Sequence, residues 1–318
     1  MEDEKGRQPT PGTDQQQLSA ESGGVSATVA QEEPASHRGR RALSLVGFLG
    51  VFILIWEGAK WLAGDPWRLD GIGYYHQPPF RVLQLTDLNL PHVWDIAASF
   101  TEPFQRNASY SLANYLLDQA IFTWIEAFLG FTVGAVIGVA LASLFVHSGF
   151  LERAFVPYVV ASQTVPIVAL APMIVTGFGR GLTSVVIIAT YLTFFPVTIA
   201  VMRGLRSPDP RSVELMRSYA ASKWQIYRKV RLPASIPYLF TALKIAAAAS
   251  LVGTIIGEGP GGVAQGLGRA LLTFNQQYIT GPEKLWAAIL VSAIVGILSF
   301  LAVRTAEILI VERRGFAK

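Results

Sequence analysis

Apolar runs of about 20 residues recur along this chain, and they constrain its fold more than any other feature of the sequence. A run of that length forms a helix that crosses roughly 30 Å of hydrocarbon. Only 15% of the 318 residues are charged, whereas soluble domains have about a quarter. Since lipid offers the backbone no hydrogen-bond partner, a spanning segment has to be helical or part of a closed barrel. The sequence therefore predicts an all-α polytopic membrane protein.

Six membrane-spanning helices are predicted, with both chain termini in the cytosol. The orientation follows from charge, because Lys and Arg concentrate in cytosolic loops. The segment 203–231, predicted inside, carries eight basic residues, whereas 258–283, predicted outside, carries only Arg269. The net charge of +4 is explained in this way, and no nucleic-acid partner is expected. The predicted spans are 42–63, 113–147, 154–176, 181–203, 237–257 and 284–310.

The predicted spans divide the chain into three parts. Residues 1–40 are polar and are predicted to be a disordered cytosolic tail. Residues 41–112 contain the first helix and an external loop whose aromatic rings suit the outer membrane face; contact with a partner there is the alternative. Residues 113–318 form the transmembrane domain, with a cytosolic segment at 204–236.

Several kinds of chemistry have no residues to support them. The chain has no cysteine, which excludes disulfides and thiol catalysis. Its four histidines have no metal-ligand spacing, and a phosphate-binding loop is missing. No catalytic residue, metal site or bound cofactor is therefore expected.

The polar segment 208–237 is predicted to begin with a short amphipathic helix. Asp209 suits the N-cap and Pro210 the first helical position. Glu214 lies in the early turns, where a negative charge favours the helix dipole. An ordered helix of this kind outside the membrane favours contact with a soluble partner, and a helix that merely lies on the membrane is the alternative. One face of it carries Leu215, Met216, Tyr219 and Ala220.

A second short helix is predicted directly after the first. Ser222 and Gln225 have the spacing of a capping box. Leu232-Pro233 and Pro237 are expected to end this helix before the fifth span, because proline lacks the backbone donor.

The segment resembles the coupling motif of the permease subunits of binding-protein-dependent (type I) ABC importers, E-A-A-x3-G-x9-I-x-L-P. Leu215-Met216 stands where the motif has A-A. Alanine resists the positive φ that glycine would adopt in the turn, so the turn is predicted one residue later, near Ala221. Glu214 and Leu232-Pro233 match the motif, whereas Ala220 stands at its glycine position and Val230 at its isoleucine position.

The resemblance extends over about 110–312 and implies a set of partners. These are a second permease copy, two cytosolic ATPase subunits that bind ATP and Mg²⁺, an external substrate-binding protein and the lipid bilayer. It also implies a bacterial cell membrane location, and an ATPase activity that lies on a separate subunit. The ATPase-coupling residues that it implies are Asp209, Glu214, Leu215, Met216, Arg217, Tyr219, Ala220, Ser222, Leu232 and Pro233.

Within the sulfonate, nitrate and taurine group of that family, the chain is most similar to the riboflavin, thiamine-precursor and pyrimidine branch. The runs that carry this likeness are 214–218, 221–225, 237–240 and 274–278. Riboflavin or a related heteroaromatic compound is therefore the first expectation for the substrate. Aliphatic sulfonates, taurine or nitrate are the alternative, and an ion-coupled secondary transporter is a further one.

Five polar or proline positions are candidates for the translocation path. Gln163 and Thr164 adjoin Pro166 in the third span, where a kinked helix that satisfies its own carbonyls is the alternative. Glu126 is a carboxylate within a span, which marks a site candidate by default. Glu258 follows the fifth span and resembles the Gly-Glu that closes this span in related permeases; an interface charge is the alternative.

Two further patterns concern helix packing. Gly130, Gly134 and Gly138 form a small-residue face that lets helices approach closely, within the subunit or at a dimer interface. Arg304 and Glu307 are three residues apart in the last span and are expected to pair.

Overall fold

The computed structural model describes residues 35–69, 73–105, 108–261 and 263–312, and in this part of the chain almost all regular structure is helical. The predicted tail 1–40 lies outside the described residues as far as residue 34, and helix α1 begins at Ala35. The α-helices are α1 Ala35–Ala63, α2 Val93–Ser99, α3 Leu112–His147, α4 Gly149–Ser162, α5 Ile167–Phe178, α6 Leu182–Arg206, α7 Pro210–Ser218, α8 Lys223–Ile226, α9 Leu232–Gly261, α10 Leu267–Gln276 and α11 Pro282–Glu307.

Five helical segments are long and apolar enough to cross a membrane, and the bent pair α4 and α5 makes a sixth if it is counted as one span. This agrees with the predicted polytopic all-α fold. The chain divides into two compact units, of which the first ends at Leu62 and contains most of α1. The second unit, from Ala63 onward, contains all the other elements described below.

The third predicted span is the one that differs most from expectation. Residues 154–176 do not form a single kinked helix; α4 and α5 meet at a bend of 103°. The break covers residues 163–166, and Pro166 is the N-cap of α5. A proline disfavours helical backbone in the residue before it, so Val165 leaves the helical path and the chain turns sharply.

Helices α3, α6 and α9 form the centre of the second unit. The glycine face of α3 packs against α6 at a distance that only glycine permits. A methyl group on Gly130 would come within 2.3 Å of the Ala189 Cβ, and one on Gly134 within 2.5 Å of the Thr193 Cβ. Gly138 continues the same contact one turn further, beside Val197. This close approach is the packing that a small-residue face allows.

The loop between α1 and α3 contains a two-stranded antiparallel ribbon that the sequence did not predict, with β1 at Trp67–Leu69 and β2 at Gly73–His76. Aromatic rings fix the loop beside it. The rings of His92 and Trp94 stack with centroids 4.2 Å apart, and the Trp67 ring meets the His92 ring edge-on at 4.8 Å. The aromatic residues of this loop thus pack partly on one another.

Candidate functional site

Helix α7 begins as its sequence predicts. The Asp209 carboxylate accepts a hydrogen bond from the Arg211 N–H at 2.8 Å, and Pro210 occupies the first turn. This satisfies one of the donors that a helix start leaves without a partner. Glu214 lies on the exposed surface of the helix.

The turn after α7 corrects a prediction. Ala220, and not Ala221, takes the left-handed conformation, with φ of 55°. The Ala221 N–H donates to the Met216 carbonyl at 3.0 Å, and the Ala220 N–H to the Arg217 carbonyl at 2.8 Å. These two bonds make a Schellman motif, whose geometry places the left-handed residue at Ala220. The two hydrogen bonds at the helix end outweigh the steric cost of an alanine at positive φ.

Helix α8 has the predicted capping box but not the predicted end. The Ser222 hydroxyl accepts from the Gln225 N–H at 3.2 Å, and the Gln225 side chain accepts from the Ser222 N–H at 2.7 Å. The chain then continues through a π-helical turn, Tyr227–Arg231, into α9. Neither Leu232-Pro233 nor Pro237, which lies inside α9, therefore ends the helix. A widened turn accommodates a proline that cannot donate to the preceding turn.

Three large apolar side chains of the segment 209–226 are exposed on the protein surface. The exposed fraction is 58% for Leu215, 78% for Tyr219 and 63% for Trp224. We call residues 209–226 the coupling surface. Exposed aromatic and aliphatic groups at such density on a polar segment are typical of a contact with another protein.

Side-chain contacts of Tyr227 and Arg206, which flank the coupling surface, involve the membrane helices. The Tyr227 hydroxyl lies 2.8 Å from the Ser143 hydroxyl on α3, and the Tyr227 ring packs against the His147 ring with centroids 4.9 Å apart. Arg206, at the end of α6, forms a two-pronged salt bridge with Glu152 on α4, in which one N–O distance is 2.7 Å. Tyr227, the residue after the coupling surface, thus bonds to α3, and Arg206, three residues before it, joins α6 to α4.

The predicted path residues Gln163, Thr164 and Pro166 all lie in the break between α4 and α5. The Thr164 hydroxyl donates to the Ala161 carbonyl at 2.7 Å, as the alternative of a self-satisfied kink expects. The side-chain nitrogen of Gln163 is buried without a hydrogen-bond partner among the described residues. The Tyr191 hydroxyl, from α6, donates to the Ser162 carbonyl and holds the break in place.

Glu126 and Glu258 lie in a different place, at the end of the helix bundle that is opposite the coupling surface, which we call the far end. Both side chains are buried. The Glu258 carboxylate accepts hydrogen bonds from the Thr123 hydroxyl at 2.6 Å and from the Gly268 N–H. Glu126, one turn from Thr123, lies close enough to Glu258 for the two carboxyl groups to interact electrostatically. Among the described residues, no N–H or hydroxyl group donates a hydrogen bond to either Glu126 oxygen.

The structure thus brings Glu126 and Glu258 together, and it places Gln163, Thr164 and Pro166 in a separate group. Among the hydrogen bonds of the described residues, none joins one group to the other. Their part in a translocation path stays a prediction.

Four residues with specific contacts did not emerge from the sequence: Gln119, Thr123, Ser143 and Tyr227. A signal for two of them was present, because Gln119, Thr123 and Glu126 recur at helical spacing within an apolar helix. Polar groups on one face of a spanning helix face the interior of the bundle. Ser143 and Tyr227 carry no comparable pattern.

One ion pair also differs from expectation. Glu307 does not pair with Arg304, which is exposed; the Lys244 ammonium on α9 donates to the Glu307 carboxylate at 2.7 Å. An ion pair stabilises a partly buried carboxylate more when its cation is also partly buried than when the cation is exposed. The pair ties α9 to α11.

Comparison with known proteins identifies a family and relatives that this chain resembles. The sequence profile of the family described as binding-protein-dependent transport system inner membrane component matches residues 134–309. The formylaminopyrimidine transport permease protein ThiX of Halalkalibacterium halodurans is 32% identical over 232 residues, which are 69% of this chain and 90% of that protein. The riboflavin transport system permease protein RibX of Chloroflexus aurantiacus is 34% identical over 149 residues, 46% of this chain and 56% of that protein.

A crystal structure of an amino acid ABC transporter with histidines has the same fold over 63% of this chain and 94% of its own, with a TM-score of 0.51 and 19% identity. This likeness concerns the arrangement of helices alone.

Proposed function

Because this chain belongs to the family of binding-protein-dependent transport system inner membrane components, we propose that it forms the path by which an ATP-driven importer takes up a small heteroaromatic compound. The chain is the permease component of an ABC importer. The proposal concerns what it carries, what it assembles with and how the coupling surface works.

The coupling surface is the observation that carries the proposal. It is an ordered pair of helices with three large exposed apolar groups, and it is flanked by Tyr227, which bonds to α3, and by Arg206, which joins α6 to α4. A cytosolic ATPase subunit that seats Tyr219 and Trp224 in a groove would cover these groups. Closure of two ATPase subunits on ATP would then push α7 and α8, and this push would be passed on to α3 and α9.

The proposed assembly contains two copies of this chain, two ATPase subunits and one external binding protein. Both chain termini lie in the cytosol, on the same side as the coupling surface, in a bacterial cell membrane. The basic residues of 203–231 support this orientation, since positive charge is retained on the cytosolic side. The far end, with Glu258, then faces the binding protein.

The proposed substrate contains a pyrimidine ring, either alone or fused as in riboflavin. Support comes from the two relatives named above, which transport a formylaminopyrimidine and riboflavin. The match to the first covers nearly its whole length, and the identity to the second is slightly higher over a shorter stretch. Such compounds are planar and are recognised by stacking and by hydrogen bonds.

The test is reconstitution of the chain with the ATPase and binding protein encoded beside it, followed by ATP hydrolysis in the presence of one candidate at a time. Riboflavin, formylaminopyrimidine and an alkyl sulfonate are the three candidates. We expect stimulation by the riboflavin-loaded or the pyrimidine-loaded binding protein and none by the sulfonate. Stimulation by the sulfonate alone would refute the substrate class, and uptake driven by an ion gradient without any ATPase would refute the importer.

Variants of the coupling surface test the mechanism in the same assay. Glu214→Arg, or a bulky charged residue at Ala220, should abolish stimulated hydrolysis while the chain still accumulates in the membrane. Glu214→Gln keeps the shape of the side chain but removes its charge. Comparison with Glu214→Arg therefore distinguishes loss of the charge from its reversal. Wild-type uptake in both disruptive variants would contradict the assignment of the ATPase contact.

A further inference from the structure

Helix α10 at the far end is held by side chains from two other helices. The first N–H groups of a helix have no partner within it. At the start of α10, three consecutive N–H groups, beginning with that of the N-cap residue Gly266, are bound from outside. The Gly266 N–H donates to the Gln119 side-chain oxygen at 2.6 Å, the Leu267 N–H to the Thr123 hydroxyl oxygen at 2.7 Å, and the Gly268 N–H to the Glu258 carboxylate. We call Gln119, Thr123 and Glu258 the latch.

The latch is a connected chain of bonds and not three separate contacts. The Thr123 oxygen accepts from Leu267, and its hydroxyl hydrogen is donated to Glu258. The two Glu258 oxygens are therefore both occupied, one by Thr123 and one by Gly268. All three latch side chains are buried. Removal of the Thr123 hydroxyl would break two bonds at once and would leave a buried N–H and a buried carboxylate oxygen without partners.

The latch requires glycine at two positions at the start of α10, Gly266 and Gly268. A methyl group on Gly266 would lie 2.3 Å from the Glu258 carboxyl carbon, and one on Gly268 would lie 2.1 Å from the Ile255 carbonyl oxygen. Gly266 also has φ of 110°, which side chains rarely tolerate. The carboxylate and the start of α10 thus fit together only because two residues lack side chains.

The position of the latch links it to the coupling surface. Glu258 lies near one end of α9, and the π-helical turn after the coupling surface leads into the other. At 1.5 Å per residue the two ends of this helix are roughly 40 Å apart. A single continuous helix therefore joins the latch to the coupling surface.

We propose that Gln119, Thr123 and Glu258 are positioning residues that fix α10 to α3 and α9 at the far end, and that this fixation makes ATP hydrolysis depend on the loaded binding protein. The second part rests on the proposed function. A binding protein that docks at the far end can act on the ATPase only if the surface that it contacts is rigidly joined to α9. With the latch open, α10 would move independently, and the signal would be lost.

The first experiment needs only this chain. Since the sequence has no cysteine, Ala270→Cys introduces a single thiol on the buried face of α10. Its rate of labelling by a maleimide is measured in membranes with the latch intact and with Glu258→Ala or Thr123→Val. We expect at least tenfold faster labelling in both latch variants. Equal rates, or rapid labelling with the latch intact, would overturn the fixation of α10.

Matched controls distinguish the latch from general loosening. Thr132→Val is the same substitution on the same helix, but the Thr132 hydroxyl bonds only to the Phe128 carbonyl of its own helix; labelling should stay within twofold of the parent. Thr123→Ser retains the hydroxyl and should restore slow labelling. Fast labelling in Thr132→Val, or no recovery in Thr123→Ser, would count against the latch.

The second experiment measures the ratio of ATP hydrolysis with and without loaded binding protein in the reconstituted complex. We expect this ratio to fall to near one in Thr123→Val, with full stimulation in Thr132→Val. General destabilisation would lower both rates in proportion and leave the ratio unchanged, and that result would overturn the coupling role. If the unaltered complex shows no stimulation, the proposed function fails, whereas the labelling result still decides whether the latch holds α10.

Discussion

The hydroxyl oxygens of Tyr227 and Ser143 lie 2.8 Å apart, although the two residues are 84 positions apart in the sequence. Tyr227 belongs to the π-helical turn that follows the coupling surface, and Ser143 to the last turns of α3. The Tyr227 ring is also stacked on Trp224, with centroids 5.4 Å apart. One side chain thus contacts both the coupling surface and a membrane helix.

Tyr227→Phe removes the hydroxyl and keeps the ring contacts. We expect a loss of about 1 kcal/mol in the free energy of unfolding, the usual net value of one hydrogen bond. Stimulated ATP hydrolysis should fall more than basal hydrolysis, because the path to α3 is weakened. A double-mutant cycle with Ser143→Ala measures the coupling between the two residues. Additive effects on thermal inactivation would contradict a direct bond.

Ala220→Gly should be tolerated and should stabilise the coupling surface. An L-residue with a side chain costs roughly 1–2 kcal/mol in the left-handed region, whereas glycine adopts it freely. Part of that gain is offset, since glycine has more freedom in the unfolded chain. We expect unaltered or slightly higher stimulated hydrolysis, with a small rise in the midpoint of thermal inactivation. Ala220→Val is the comparison, and retained coupling in that variant would show that the turn does not matter.

Gly134→Ala should force α3 and α6 apart. Its added methyl group would meet Thr193 at 2.5 Å, and overpacking of this kind costs about 1–3 kcal/mol. The midpoint of thermal inactivation in detergent should fall accordingly. Gly177→Ala is the control, because nothing lies within 4 Å of a methyl group there. If both variants behave alike, the glycine face of α3 does not set the helix spacing.

Lys244→Glu should be poorly tolerated, and exchange of the two charges should rescue it. The pair is about one-fifth exposed on each side, so breaking it should cost about 2 kcal/mol, between the values for surface and fully buried pairs. Lys244→Glu combined with Glu307→Lys re-forms the bond between α9 and α11. The amount of folded protein in the membrane reports the outcome. Arg304→Glu should have little effect, because Glu307 does not use Arg304.

Local features of this fold were predictable from the sequence. The N-cap at Asp209 and the capping box of Ser222 depend only on residues two or three positions away. The membrane helices depend on the length and apolarity of single runs. Each of these features depends only on residues within or next to one helix, so it can be predicted from the sequence alone.

Features that depend on tertiary contacts were missed. Glu258 is bound by Thr123, 135 residues away, and no spacing rule connects the two. Glu307 lies three residues from a plausible partner in Arg304, yet it pairs with Lys244, 63 residues away. At Ala220 the intrinsic preference of alanine opposes a positive φ, but the two carbonyls that require a donor at the end of α7 decide the conformation.

Three hydrogen bonds, spaced along the helices, join α3 to the continuous helix formed by the π-helical turn and α9. They link Ser143 to Tyr227, the Ala127 carbonyl to Ser250 at 2.6 Å, and Thr123 to Glu258. Because three bonds join them, the two helices cannot tilt or slide past one another without breaking a bond, so the pair moves as one rigid body. A rearrangement that opens a passage would therefore have to change the contacts between this pair and the other helices. The bend of 103° at 163–166, where α4 meets α5, lies outside this rigid pair.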